Sequence, residues 1–299
     1  MTDVNRLSRD VEGAPGGPAA RPPDAWTPLR REGGAPRARD LLLTVLGEFV
    51  LPGGIAVWTS ALVDALGLLG VEQPAARQAL ARSSASGLLV AERVGRRTRW
   101  SLTGRATRLL SDGARRIYGF GSGEGEWDGR WLLVLVTVPE HNRHLRARLR
   151  ARMTWLGFGL MGPGAWVTPW ADREGEALAA LEELQLVDGA VSWVGRPGRM
   201  GSLEGRVDEI WDLDALAGDY TSFVAAATSE APAGASAEFV ALTRLVHDWR
   251  HFPAADPGLP AALLPGSWPG PAAARTFHEC HARWGPGARA WWEERADRG

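Results

Sequence analysis

Apolar positions in the stretch ARDLLLTVLGEFVL fall at Leu41, Leu42, Val45, Leu46, Phe49 and Val50. That spacing is one stripe of a 3.6-residue period and predicts a helix that stops before Pro52 and Gly53. VWTSALVDALGLLG repeats the pattern at Leu62, Val63, Leu66 and Leu69, with Thr59 or Ser60 as a cap and Gly70 as the stop. In VEQPAARQALARSSASG the stripe thins to Ala76, Ala79 and Leu80, and Pro74 suits a first helical position. The other faces of this third helix carry Arg77, Gln78, Arg82, Ser83 and Ser84, and Gly87 ends it. The period then changes to two. LLVA and WSLT read as strands either side of ERVGRRTR, a hairpin with Arg96, Arg97 and Arg99 at its tip.

TGRATRLLSDGARRIYG predicts a basic linking helix, with Leu109, Leu110 and Ile117 as its apolar side. From Trp127 the order is a strand (RWLLVLVTVP), a helix (NRHLRARLRARMTWLGFG), a strand (GAWVTP), a helix (EGEALAALEELQ) and a strand (GAVSWVG). With one further short strand, this is a ferredoxin-like α+β domain. The remainder is helical. DLDALAGDYTSFVAAA opens on an aspartate cap, AEFVALTRLVHDWRHFP stops at Pro253, and a proline-rich loop, DPGLPAALLPGSWPG, precedes the last helical stretch. Residues 1–35 are rich in Pro, Gly and Ala and are expected to be a disordered tail. The fold class is therefore α+β in four ordered parts. Residues 36–104 form a winged helix-turn-helix, 105–126 a linker helix, 127–205 the ferredoxin-like domain and 206–299 a helical effector or dimerisation domain.

Charge sharpens this picture. All 34 basic residues are arginines, so a single arginine means little and clustering means more. The net charge is -1, yet from Pro74 to Tyr118 ten arginines face only Glu92 and Asp112, a local net of +8. Such a region attracts polyanions although the whole chain is neutral. A short polar third helix followed by an arginine-tipped hairpin is the layout in which a helix enters the DNA major groove and the wing grips the backbone. The candidate DNA-contacting residues are Arg77, Gln78, Arg82 and Ser83 on the helix and Arg96, Arg97 and Arg99 on the wing. Arginine pairs with guanine, glutamine with adenine, and wing arginines neutralise phosphates.

The lone Cys280 excludes an internal disulfide framework. The N-terminus lacks a signal pattern, and runs such as WLLVLV fall far short of the ~20 residues that span a bilayer. A soluble cytoplasmic protein with no membrane partner is expected. Arg143, Arg146, Arg148, Arg150 and Arg152, with His141 and His144, give a second basic helix. It is open to three uses: a solvated face, a site for an anionic effector, or further DNA backbone contact. His247 and His251 lie four apart, and His278, Cys280 and His281 cluster in FHECHARW. These types bind zinc, but no Cys-x-x-Cys or His-Glu-x-x-His spacing is present, and no cofactor or metal is expected. Candidate effector-binding residues are Arg146, Arg150, His247, Trp249, Arg250 and His251.

The segments ARDLLLTVLGEFVLPGG, ARQALARSSASGLLVAERVGRRTRWSLT, WDGRWLLVLVTVPE and FPAADPGLPAALLPGSWPG closely resemble the PaaX family of bacterial transcriptional regulators, from about Pro36 to the C-terminus. The resemblance implies a dimeric repressor of palindromic operators on double-stranded DNA, released by a small effector, phenylacetyl-CoA or another acyl-CoA. The middle domain also resembles a small CRISPR-associated nuclease whose metal needs an aspartate at the end of the first strand. VLVTVPE offers only Glu140 nearby, so no enzymatic activity is expected. Two other classes stay open: a metal-dependent hydrolase or nuclease on the C-terminal domains, and a winged helix used for protein contacts.

Overall fold

The computed structural model describes residues 37–121, 126–139, 142–199, 201–229 and 231–296. The tail expected over residues 1–35, together with Glu140 and His141, lies outside the described residues.

The first helix departs from its expected end. Helix α1 (Ala38–Val45) continues as a π turn (Leu46–Val50) and a last turn (Leu51–Gly53), and Gly54 closes it at φ +59°. A proline ring meets the carbonyl four residues back in a regular helix. The π turn shifts that register just before Pro52, with Leu51 N–H donating to Leu46 O. The helix is buried on more than its predicted stripe, at Leu43 and Thr44 as well as Leu42 and Val45.

Strand β1 (Val57–Trp58) leads into α2 (Thr59–Leu68) and α3 (Gln73–Ala85). Thr59 does not cap α2. Its Oγ1 donates to Thr98 O at 2.9 Å and accepts from Trp100 Nε1 at 2.8 Å, which ties the helix to the hairpin. The hairpin is β2 (Leu89–Val94) and β3 (Arg97–Leu102), and the three strands form an antiparallel sheet in the order β1-β3-β2. Helix α4 (Gly104–Gly119) follows, with the Thr103 hydroxyl accepting from Ala106 N at 3.0 Å.

The middle of the chain runs β4 (Trp131–Val136), α5 (Arg143–Trp155), β5 (Gly159–Gly162), β6 (Ala165–Thr168), α6 (Glu174–Leu184) and β7 (Ala190–Gly195). Its strands pair antiparallel in the order β5-β6-β4-β7. β5 is the further short strand that the sequence left room for. Strand alternation sends Leu132, Val134 and Val136 to one face, against Leu149 and Met153 of α5 and Ala180 and Leu181 of α6. The other face sets Trp131 and Val167 against Val207, Trp211 and Leu263. Gly159 permits that approach, since a Cβ there would lie 2.1 Å from Ile210 Cγ2. At the edge strand β7 this second face is open, with Val191 67% and Trp193 73% exposed.

Helices α7 (Leu213–Thr228), α8 (Ala235–Trp249) and α9 (Gly270–Ala296) complete the chain, the first capped by the Asp212 carboxylate on Ala215 N at 3.1 Å. They share one apolar core with α1–α4. Phe49 lies 4.8 Å from Phe239 and 5.7 Å from Trp292, ring centre to ring centre. Trp249 stacks on Phe277 at 4.8 Å and donates its Nε1 hydrogen to Ile117 O at 3.1 Å. Among the described residues no helix is long and apolar enough to cross a membrane.

Candidate nucleic-acid interface and the seam behind it

Helix α3 divides cleanly. Ala76, Ala79, Leu80 and Ser83 turn inward, and Arg77, Gln78 and Arg82 share the exposed side. Ser83 is 0% exposed and its hydroxyl has no hydrogen-bond partner among the described residues. It continues the buried stripe at i+3 from Leu80 and packs the helix in place, so its candidacy as a DNA contact is corrected.

The hairpin puts Gly95, at φ +60°, and Arg96 at the turn between β2 and β3. Arg96 and Arg97 are exposed. The Arg97 guanidinium lies 5.9 Å from the Trp58 ring centre. Arg99 is engaged across the hairpin, where its Nε and Nη2 donate to the two Glu92 carboxylate oxygens at 2.9 Å each. The same contact holds the Glu92 carboxyl below the usual carboxylate range. Elsewhere in the basic segment, Arg115 pairs with Asp112 at 2.5 Å. Arg116 lies over the Trp155 ring at 4.0 Å and donates to Pro253 O at 2.8 Å, fastening α4 to its neighbours. The exposed positive charge left here lies on the face of α3, at the hairpin tip and at Arg105 and Arg108 of α4. On α5, Arg143, Arg146, Arg148 and Arg150 are exposed, whereas Arg152 is buried and paired with Glu183 at 3.1 Å.

Behind this face, α1 meets α4, α8 and α9 along a seam rich in polar groups. The buried Glu48 carboxylate accepts from the Tyr118 hydroxyl of α4 and meets His281 Nε2 of α9 at 2.9 Å. Burial and the Glu48 charge push the Tyr118 hydroxyl pKa up. One turn back, Thr44 Oγ1 accepts from Arg250 Nη1 at 3.1 Å and lies 3.3 Å from His247 Nδ1, and Arg250 also donates to Asp40 O at 3.2 Å. Thr44, Glu48, Tyr118 and Arg250 line a small hollow with about 20 Å³ of room for water. Sequence reasoning missed Glu48 and Tyr118; the only sign was a lone acid inside LLLTVLGEFVL.

The six candidate effector residues do not converge. Only Arg250 lines this hollow. Trp249 is 0% exposed at the centre of the aromatic core, which removes it as a ligand wall. His251 lies 3.9 Å from Asp219, and Arg146 and Arg150 are on α5. The histidines and Cys280 are dispersed among separate partners, and among the described residues no three His, Cys, Asp or Glu side chains could hold a metal ion together.

His247 and Asp248 bend the stability curve in opposite directions. Desolvation, helped by the Arg250 charge, pushes His247 from 6.5 down to about 4. Between those values the unfolded chain holds a proton that the folded chain lacks, so stability rises with pH. Desolvation lifts Asp248 from 3.8 to about 6, where the folded chain holds the extra proton and stability falls as pH rises. Asp248 is exposed, so water screens its slope and it offsets only part of the His247 slope. His247→Gln removes the His247 slope, and the variant should lose roughly 2–3 kcal/mol between about pH 4 and 6 relative to wild type. Urea titrations at the two pH values read this directly, and parallel profiles for the two proteins would refute it.

Comparison with known proteins follows the same three segments. Residues 37–106 match the family described as PaaX-like protein, 124–204 the PaaX protein central Cas2-like domain, and 211–294 the PaaX-like protein C-terminal domain. The transcriptional repressor PaaX of Escherichia coli (strain K12) is 26% identical over 268 residues, covering 86% of this chain and 83% of that protein. The solved structure of the uncharacterized protein Rv0674 from Mycobacterium tuberculosis is similar in fold. It has a TM-score of 0.60 at 22% identity, over 86% of this chain and 98% of that one. The chain belongs to the PaaX family.

Proposed function

We propose that this protein is a DNA-binding transcriptional repressor, a regulator and not an enzyme. The observation that carries this is the single exposed face made by Arg77, Gln78 and Arg82 of α3 beside the arginine tip of the wing. In this reading α1–α3 and the hairpin are a winged helix-turn-helix, with α3 in the major groove and Arg96 and Arg97 on the adjacent backbone. The strand order β5-β6-β4-β7 in a strand-helix-strand-strand-helix-strand run supports a ferredoxin-like middle domain. Membership of a family that includes a named repressor supports the same function. A small effector releases the repressor from DNA. The resemblance suggests an acyl-CoA, and the protein carries no catalytic cofactor.

The protein acts as a homodimer on a palindromic operator, joined at β7. This edge strand carries no charge, the usual guard against edge pairing, and it exposes Val191 and Trp193 on one face. Antiparallel pairing of two copies about Ser192 sets Asp188 of one against Arg196 of the other, so the charges at the strand ends complement each other.

The test is binding of the purified chain to DNA upstream of its own gene over a salt series, with wild type and Trp193→Glu. Wild type should bind a specific palindrome. The variant should become monomeric in sedimentation and lose cooperative binding while keeping half-site affinity. Absence of any binding at low salt would sink the repressor reading, and a dimeric Trp193→Glu would sink the β7 interface alone.

A further inference from the structure

The chain packs as two bodies. The first is the core shared by α1–α4 and α7–α9. The second is the β4–β7 sheet with α5 and α6, against which Val207, Trp211 and Leu263 are buried. Among the described residues the two sets of buried apolar side chains have no member in common, and half-buried Trp268 packs against both. Motion between bodies is the default where the interface is small and polar, so the polar contacts that cross it decide how firmly they are held.

Those contacts converge on the C-terminal end of α5. The last carbonyls of a helix have no partner within it and carry the negative end of its dipole. Here Arg152 O, Met153 O and Thr154 O accept from the N–H groups of Leu156, Phe158 and Gly157. The next two carbonyls are met by two arginines. Arg116 of α4 donates Nη2 to Trp155 O at 3.4 Å and to Pro253 O at 2.8 Å. Arg173, just before α6, donates Nη1 to Leu156 O at 3.0 Å and to Pro257 O at 2.9 Å. Each guanidinium thus ties the end of α5 to a carbonyl of the 253–257 segment. Trp170 adds a link from Nε1 to Gly258 O at 2.6 Å. The segment is anchored to the first body, where Asp256 accepts from the Tyr220 hydroxyl of α7 at 2.6 Å. The backbone is shaped for this approach. Gly157 has φ +77°, and a Cβ there would lie 2.6 Å from Pro257 O.

We infer that Arg116 and Arg173 are positioning residues that hold the middle body at one angle to the DNA-reading body, and that in a dimer joined at β7 this angle sets the half-site separation the protein accepts. Neither arginine belongs to the face made by α3 and the hairpin tip. A dimer reads two half-sites at a fixed separation only when its reading heads are rigidly held. The spacing step rests on the repressor reading with its β7 dimer; the joint itself does not.

The joint is tested on the full chain without DNA. Spin labels are placed on Leu68→Cys of α2 and Leu178→Cys of α6, both exposed positions, with the buried Cys280 left in place. Labelled chain is diluted into unlabelled chain, so that distances within one chain are read. Wild type should give one narrow distance distribution, and Arg116→Gln combined with Arg173→Gln one about twice as wide. Trp170→Phe removes the Gly258 link alone and should broaden it by less; it reads the joint should the double variant fail to fold. An unchanged width in every variant that folds overturns the proposal. Spacing is then read on pairs of half-sites at each separation over one helical turn. Wild type should bind its best separation about tenfold tighter than one two base pairs away, and the double variant no more than about twofold tighter. Affinity for a single half-site and the dimer mass should not change. A double variant that melts earlier yet keeps the spacing preference has lost only stability and overturns the positioning role. A wild type that binds all separations alike overturns the spacing step. A wild type that binds no DNA sinks the repressor reading and the spacing step with it, while the distances still decide the joint.

Discussion

Replacing Arg77, Arg82, Arg96 and Arg97 together by alanine is expected to weaken DNA binding on the order of a thousandfold at moderate salt. The salt slope should flatten by about two units, because Arg96 and Arg97 on phosphates contribute about 0.9 each, while Arg77 and Arg82 act on base edges. These four are exposed, and removing them leaves the core of the unit untouched. Two single substitutions make the result specific. Arg99→Ala should flatten the slope much less, since its charge is already paired with Glu92 through Nε and Nη2. Gln78→Ala should change which sequence is preferred more than the overall affinity, as expected for a side chain on base edges. Fluorescence anisotropy across a salt series on matched and scrambled DNA reads all three. A quadruple variant with an unchanged slope would mean that the interface lies elsewhere.

Trp249→Ala is expected to destabilise the protein by about 3–5 kcal/mol, the range for removing a large buried aromatic. The side chain is fully buried, stacks on Phe277 and touches the rings of Phe223, Tyr220 and Phe252. Its loss also strips Ile117 O of the indole donor. The position makes the outcome informative. Ile117 belongs to α4, Phe277 to α9 and Phe223 to α7, and one core joins these helices to α1 and α2. The variant should therefore melt in a single transition at lower temperature, by roughly 10 °C, with DNA binding lost in the same step. Calorimetry followed by anisotropy at each temperature tests this. A variant whose C-terminal helices melt early while DNA binding persists would show that the shared core does not couple the two ends.

Local order was well written in the chain. The helix-helix-helix-hairpin run, the alternation of strands and helices after Trp127 and the cap at Asp212 follow from short-range pattern, whereas Thr59, read as a cap, ties α2 to the hairpin instead. Ser83 was legible too, because the stripe through Ala76 and Leu80 reaches it three residues later. It was misassigned because a polar side chain on a basic helix looks like a contact. The end of α1 was less accessible, since Pro52 normally stops a helix and the π turn that accommodates it leaves no mark in hydropathy.

By itself, then, the sequence determined the elements, their amphipathic faces and the concentration of positive charge on one hairpin and one short helix. Those properties depend on neighbours within a turn or two, which is the range that periodicity reports. Only the tertiary structure decided that α1 is buried between two halves of the chain, and that Glu48 meets Tyr118 and His281. It likewise decided that Arg99 is engaged by Glu92 and that Arg116 and Arg173 meet the carbonyls of Pro253 and Pro257. Each of these joins residues from different elements, and all but the Glu92–Arg99 pair bridge tens to hundreds of positions. Such pairings arise from how apolar faces stack into a single core, and no local pattern carries that information.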